Sequence, residues 1–524
     1  MKIMTMAVIQ HSNLQTENIL LLLLVFILSC VYLWKRSVSS FPEGPWSIPF
    51  TKNQKLLHAR PHIRLTQLRD VYGEIFSVKL GRQRAVVVSS FEGLNEGLVK
   101  KAFTLSGRPG SLLSGVFNKE LLQSNPSLDF KIKRDFALKS LNSLCYKPHI
   151  EETMKAETEK LASFLLSQRN VPHIQAILEP IFLRLIMFVV NGKLYSNDDA
   201  NFHEIWKTFQ INSQLLVSKW EDLKSISLFQ SSVSYNFFQI RERSEIQMAY
   251  QRDIVNRHKD CFNPNIVSDL VDCSLVMLEL NEDSGVLSQE DLDGIFVELC
   301  SSGNQPISAT LAWLILYVSY FPDVQDKIYQ ELTSVMGIER SPRMSDQPHL
   351  PYTCAVILET QRLATVLPFM YPHMATEDTQ FMGYKIPKDT AMLFNVWSLH
   401  HDAKHWKHPM KFDPDRFLED GDLRIPDQYL PFGDGLRSCP GEGISDILLF
   451  LFSTNLLYYL RFDLQGKVDL EGEMMGYVLA PKPFSLTVTP RETVVIDIAA
   501  ELGETLETSV CMIEDDVSFD DVLD

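Results

Sequence analysis

LPFGDGLRSCPGEGISDILLFLF, residues 430–452, sets one cysteine among four glycines, directly ahead of an apolar run of helical length. Glycine lets a backbone wrap closely around a group without Cβ clashes. A helix N-terminus and bare backbone N–H groups stabilise an anion, so Cys439 stands where a thiolate is favoured. Phe432 can shield one side of the sulfur, and Arg437 can pair with an anionic ligand. A lone cysteine in an apolar setting is ordinarily core; the glycines and the arginine argue here for a cradle.

The rest of the chain has material for a large fold. Of 524 residues 45% are apolar and 22% charged, with neither an internal repeat nor a low-complexity linker between them. One large domain with short appendages is expected. The eight cysteines form no C-x-x-C pair, which speaks against a disulfide framework or zinc ribbon and for a reducing compartment. The net charge of -17 is concentrated at one end: Arg491–Asp524 holds eleven acidic residues and one basic residue. No basic face for nucleic acid emerges.

Tyr72–Ser90 alternates apolar and polar residues around Gly81 and reads as a hairpin. A long helical region follows to about Tyr352, with patterned segments Glu151–Leu166, Phe202–Leu216 and Gln305–Val335. Strand-like pieces such as TAMLFNVWS and PFSLTVTP return near the end. The fold class expected is mainly α with minor β. Ile19–Trp34 carries no charge and as a helix would span roughly 24 Å, the short end of a membrane crossing. Lys35 and Arg36 follow it, as in a signal anchor that leaves the downstream chain cytoplasmic. The expected division is an anchor over 1–36, a Pro-rich connector over 37–50, the body over 51–492 and an acidic tail over 493–524. The tail reads as solvated and disordered; the alternative is a docking motif on Val517, Phe519 and Val522.

Phe432, Gly435, Arg437, Cys439 and Gly441 complete the pattern F-x-x-G-x-R-x-C-x-G. In this the chain resembles the cytochrome P450 superfamily, whose cysteine thiolate is the axial ligand of haem iron. Glu359 and Arg362 in ILETQRL supply that family's E-x-x-R, and Arg416 in FDPDRF lies where a second arginine completes a buried network. The resemblance runs from about Pro42 to Glu492 and is nearest the microsomal animal branch with its drug- and steroid-metabolising members. It implies a cytochrome P450 fold in a single haem-binding domain, with haem b (iron protoporphyrin IX) ligated by Cys439. It assigns the haem propionates to Arg134, Arg437 and His373, with Phe130 where a tryptophan is usual. It implies an endoplasmic reticulum membrane protein reduced by NADPH–cytochrome P450 reductase, with cytochrome b5 as a further partner. The reductase would dock on the cysteine side, with Lys131, Lys133 and Lys139 as basic contacts. Apolar segments at pocket positions, among them Leu112–Phe117, Phe209–Trp220 and Gly294–Cys300, imply a lipophilic substrate.

One segment departs from the family. Aligned on ATLAW (309–313), the helix expected over Gly294–Tyr320 places Ser302 and Gly303 on a small-residue pair that leaves room for oxygen. Gln305 then falls on the usual acid, Pro306 on the usual alcohol and Ile307 on a second hydroxyl. The acid–alcohol pair of the proton relay is absent, and a mid-helix proline costs roughly 3 kcal/mol. Three accounts follow. In the first, the chain is an NADPH- and O2-dependent monooxygenase that hydroxylates a steroid, fatty acid or xenobiotic and delivers protons by way of Ser301, Ser302, Asn304 or the substrate. In the second, it is an isomerase or dehydratase of preformed peroxides. In the third, it binds haem or lipid without catalysis. The intact cysteine loop favours the first.

Overall fold

The structure, a computed structural model, describes residues 21–32, 40–45, 60–80, 83–108, 122, 125–196, 198–210, 230–280, 288–338 and 340–491. The acidic tail and Leu112–Phe117 lie outside the described residues, as does Phe209–Trp220 beyond residue 210.

Helices form most of the body. In chain order those that matter here are α1 (Pro61–Tyr72), α2 (Leu128–Leu144), α3 (Pro148–Gln168), α4 (Ile174–Asn191), α5 (200–210), α6 (Gln230–Cys261), α7 (Leu270–Leu280), α8 (Gln289–Tyr320), α9 (Pro322–Met336), α10 (Pro351–Ala364) and α11 (Glu442–Tyr459). Strands β1 (Ile75–Leu80) and β2 (Gln83–Val88) form the expected hairpin. The hairpin extends in the order β1-β2-β5-β4, with β4 (His373–Met374) and β5 (Ala391–Phe394), β5 running parallel to β2. A second sheet pairs β6 (Leu460–Gln465) with β9 (Ser485–Pro490), and β9 with β3 (Asn170–Val171). β7 (Glu473–Met475) and β8 (Val478–Ala480) form a hairpin, and two further short hairpins pair Thr379–Phe381 with Tyr384–Ile386 and Leu418–Glu419 with Asp422–Leu423.

α8 is the spine. Ser288 caps it: its hydroxyl accepts from the Asp291 N–H (3.2 Å), and the Asp291 carboxylate accepts from the Ser288 N–H (2.9 Å). Asp291 also binds the buried Lys133 of α2 at 3.0 Å. The helix continues unbroken across Pro306 to Tyr320. Its apolar residues face α4, α10 and α11, and nearly all of them belong to one continuous core. The helix ends at Tyr320, where its expected span ends, and the patterned stretch that runs on to Val335 continues as a separate helix, α9, leaving at 105° from Pro322. Proline at an N1 position starts a helix well, while its missing N–H ends the one before it.

At the front, Leu21–Tyr32 is an apolar helix with outward side chains, Leu22 and Phe26 being 68% and 66% exposed. α4 is also apolar and long, but it is mostly buried in the core. The connector is not wholly free of the body. The Glu43 carbonyl accepts from the Ser77 N–H at 2.7 Å, and a Cβ on Gly44 would overlap the Ser77 carbonyl oxygen at 1.7 Å.

Candidate active site

α10 and the turns after it position the cysteine loop. Glu359 is fully buried and receives Arg362 at both oxygens, Nε to Oε2 at 2.7 Å and Nη2 to Oε1 at 2.8 Å. Arg416 Nε lies 3.1 Å from the same carboxylate, and the Asp413 N–H donates to it at 2.9 Å. Arg362 spends a third N–H on the His400 carbonyl, at 2.6 Å. His400 Nε2 accepts the N–H of Leu430, the first residue of the loop, at 3.0 Å. Its Nδ1 therefore carries the proton, directed at Thr365 Oγ1 (3.0 Å). Burial and Arg362 hold this imidazole well below its usual pKa, in keeping with that neutral form. The buried ion network is thus wired to the mouth of the loop.

Within the loop the Cys439 N–H donates to the Phe432 carbonyl at 2.8 Å, closing it into a ring. Gly435 sits at φ +66°, and a Cβ there would strike the Leu98 carbonyl oxygen at 2.0 Å. No other residue fits that position. Gly441 lies beside the sulfur, where a Cβ would come within 3.9 Å of Sγ.

The electrostatics qualify the sequence reading of this thiol. Its backbone contact with Gly441 and the charge of Arg134 do favour a thiolate, but burial outweighs them and pushes the Cys439 thiol up to about 11. The helix N-terminus and N–H groups are insufficient by themselves. A ligating cation would complete the stabilisation.

Arg134 and Arg437 both converge on the loop. Arg134 donates to the Ser438 carbonyl. Arg437 donates to the Ser106 and Leu122 carbonyls (2.7 and 2.8 Å), and its guanidinium lies 4.1 Å over the Phe130 ring. Phe130, expected from sequence only to lack an indole donor, thus supplies a cation–π face. His373 is buried, its Nδ1 donating to the Leu105 carbonyl at 3.0 Å and its ring edge-on to Phe394.

Two residues here were not singled out in the sequence. Arg108 donates to the Tyr371 and Pro372 carbonyls, both at 2.9 Å. Glu298 of α8 accepts from the Leu122 N–H at 3.0 Å. Since Arg437 holds the carbonyl of Leu122, that one residue bridges α8 to the cysteine loop. A glutamate in the otherwise apolar GIFVELC was the signal, since glutamate is almost never buried unpaired.

This arrangement suits a dianionic ligand. Burial, with Arg108 and Arg134 nearby, pushes the Arg437 guanidinium down to about 8; burial also lowers Arg108 to about 10. Glu298 offsets part of this repulsion. Further carboxylates placed among these cations would relieve more of it.

α8 supplies the facing wall. Residues 291–300 and 307–319 are buried, whereas Ser301 and Ser302 are exposed and Gly303, Gln305 and Pro306 half-buried. A core helix that opens in its middle borders a space inside the fold. Both serine hydroxyls are turned back on their own helix, Ser301 to the Val297 carbonyl (2.7 Å) and Ser302 to the Glu298 carbonyl (2.8 Å). Gly303 has a packing role, because a Cβ there would meet Ile186 of α4 at 2.9 Å. It was expected to leave room for oxygen.

A family model described as Cytochrome P450 matches residues 42–488. The chain belongs to the cytochrome P450 family. It is similar to cytochrome P450 2C8 of Homo sapiens, at 31% identity over 90% of this chain and 99% of the relative. It is also similar to cytochrome P450 2U1 of Homo sapiens (29%, covering 89% and 92%) and cytochrome P450 2J5 of Mus musculus (27%, covering 91% and 97%). Members of this cytochrome P450 family hold haem b through a cysteine thiolate. The chain is accordingly a haem-dependent monooxygenase of the oxidoreductase class.

Proposed function

We propose that this P450 hydroxylates a lipophilic small molecule, with Cys439 as the residue that would ligate haem iron and Arg134, Arg437 and Arg108 as those that would hold the propionates. His373, expected among them, gives its one neutral-form N–H to the Leu105 carbonyl and would donate to a propionate only as an imidazolium. The observation that carries the reading is the opening in α8 at Ser301–Pro306, bridged by Glu298 and Leu122 to the cysteine loop. Bound in this cradle, haem supplies the iron on which dioxygen is reduced and a C–H bond oxidised.

The chain's own part on the distal side is proton handling. Proline has no N–H to give the carbonyl four residues back, so the Ser302 carbonyl lacks its usual helical donor. That oxygen can hold a water at the opening. The serine hydroxyls already donate backwards, which leaves them as acceptors, so each must rotate to pass a proton on. Delivery through this route is slower than through an acid and alcohol. Pro306→Thr is expected to raise product formed per NADPH by about threefold or more, as general acid catalysis contributes at least that much. Parallel assays of NADPH oxidation and product measure it, and an unchanged ratio would reject the serine route. The reaction type is tested with reductase and NADPH against sterols, fatty acids and fatty-acid hydroperoxides. Oxygen-dependent hydroxylation is expected; hydroperoxide turnover without NADPH would instead favour a peroxide isomerase, and a haem spectrum with no turnover a binding protein.

The apolar helix Leu21–Tyr32 supports attachment to the endoplasmic reticulum membrane as an N-terminal anchor. For the reductase, and for cytochrome b5, Lys131 and Lys139 on the exposed side of α2 remain docking contacts. Lys133 does not: it points inward to Asp291. Lys131→Glu/Lys139→Glu is expected to slow the first electron transfer at low salt and flatten its dependence on ionic strength. Stopped-flow reduction at several salt concentrations measures this.

A further inference from the structure

Between α4, α5, α6 and α8 lies a small cavity of about 20 Å³, walled by Met187, Ile205, Phe209, Val297 and Cys300. Into it projects one amide. Gln247 of α6 is only 5% exposed, yet neither its side-chain nitrogen nor its oxygen has a hydrogen-bond partner among the described residues. The other polar lining groups are occupied: Gln251 accepts from Asn191 at 3.3 Å, and the Tyr250 hydroxyl meets that of Tyr195 at 2.7 Å. A buried amide left bare is costly and calls for a partner.

We propose that Gln247 is a specificity-determining residue whose amide receives the neutral oxygen, hydroxyl or carbonyl, of a lipophilic substrate. This rests on the monooxygenase reading above. The cavity adjoins the reaction space, because Val297 in its wall and the exposed Ser301 are four residues apart on one face of α8. At about 20 Å³ it has room for one water-sized group, so it takes only the oxygen of the molecule while the carbon skeleton stays in the reaction space. An amide offers both donors and an acceptor, which matches an alcohol or a ketone. Among the described residues no lining side chain carries a charge, and burial pushes the Cys300 thiol up to about 12, so it stays neutral. A carboxylate would lose its hydration here and gain no cation. The oxygen-bearing end is therefore an alcohol or ketone, and a fatty-acid head group is excluded from this cavity.

The test uses the full-length holoenzyme in lipid nanodiscs, with protein-free nanodiscs as the reference. Equilibrium dialysis compares decalin, decahydro-2-naphthol, 2-decalone and decahydronaphthalene-2-carboxylate. The wild type is expected to bind the alcohol and the ketone about tenfold more tightly than the hydrocarbon, and the carboxylate least. Gln247→Leu is expected to erase that preference while binding decalin as the wild type does. Its thermal midpoint should be equal or higher, since leucine leaves no bare amide behind. A wild type without the preference overturns the proposal, and so does a variant that retains it, which would mean water fills the cavity. A lowered midpoint also overturns it, because the amide would then have a structural partner. NADPH- and O2-dependent turnover is measured on the same samples; its failure would count against the monooxygenase reading alone, since the dialysis does not depend on turnover.

Discussion

Cys439→Ser is expected to fold and yet lose the red-shifted carbon-monoxide spectrum of reduced thiolate haem, with turnover falling by on the order of a thousandfold, roughly 4 kcal/mol. The substitution changes one atom in a loop whose other bonds remain: the residue-439 N–H still reaches the Phe432 carbonyl, and Gly435 still fits under Leu98. What is lost is an ionisable sulfur. Burial pushes even this thiol up to about 11, so a hydroxyl, far less acidic, gives no anion there to ligate a metal. Cys300→Ser and Cys145→Ser serve as controls. Both thiols are pushed up by burial, to about 12 and about 11, and lie outside the loop; each variant should keep the thiolate spectrum. If Cys439→Ser retained it, another side chain would hold the iron and the site built around residue 439 would fall.

The features that were legible in the sequence are those carried by short local patterns. The hairpin over Tyr72–Ser90 follows from alternation, and the cradle from glycines whose need is backbone geometry, as Gly435 demonstrates. Glu359, Arg362 and Arg416 were legible as a set only through family resemblance, because three residues of spacing on a helix say nothing about burial. The features that escaped depend on contacts between segments distant in sequence. Lys133 looked like a surface cation and is a buried one, turned by helix phase toward Asp291, 158 positions away. Gly303, expected to leave room for oxygen, also has a packing contact with α4 that no local pattern announces. Glu298 joined the site only when Leu122 was placed between α8 and the loop, and Arg108 only when the Tyr371 and Pro372 carbonyls were brought to it. Orientation within a helix is set by neighbours, and hydrophobic period alone leaves single polar residues ambiguous.

Glu359→Gln is expected to destabilise the holoprotein by about 3–5 kcal/mol, the usual consequence of stripping one partner from a buried ion network. The amide keeps the shape but leaves Arg362, which is wholly buried, and Arg416, nearly so, without a counter-charge. Glutamine also has one acceptor oxygen for four N–H donors that now share two: Nε and Nη2 of Arg362, Nε of Arg416 and the Asp413 N–H. The damage should travel. Arg362 holds the His400 carbonyl and His400 Nε2 holds the Leu430 N–H, so a shifted guanidinium slackens the entrance of the cysteine loop. Haem should therefore be lost at lower denaturant than is needed to melt the helices, giving two separated transitions in absorbance and circular dichroism. Arg416→Lys, at the rim of the network, should cost less and keep the transitions together. Coincident transitions in Glu359→Gln would mean that the network stabilises the fold as a whole and has no particular hold on the loop.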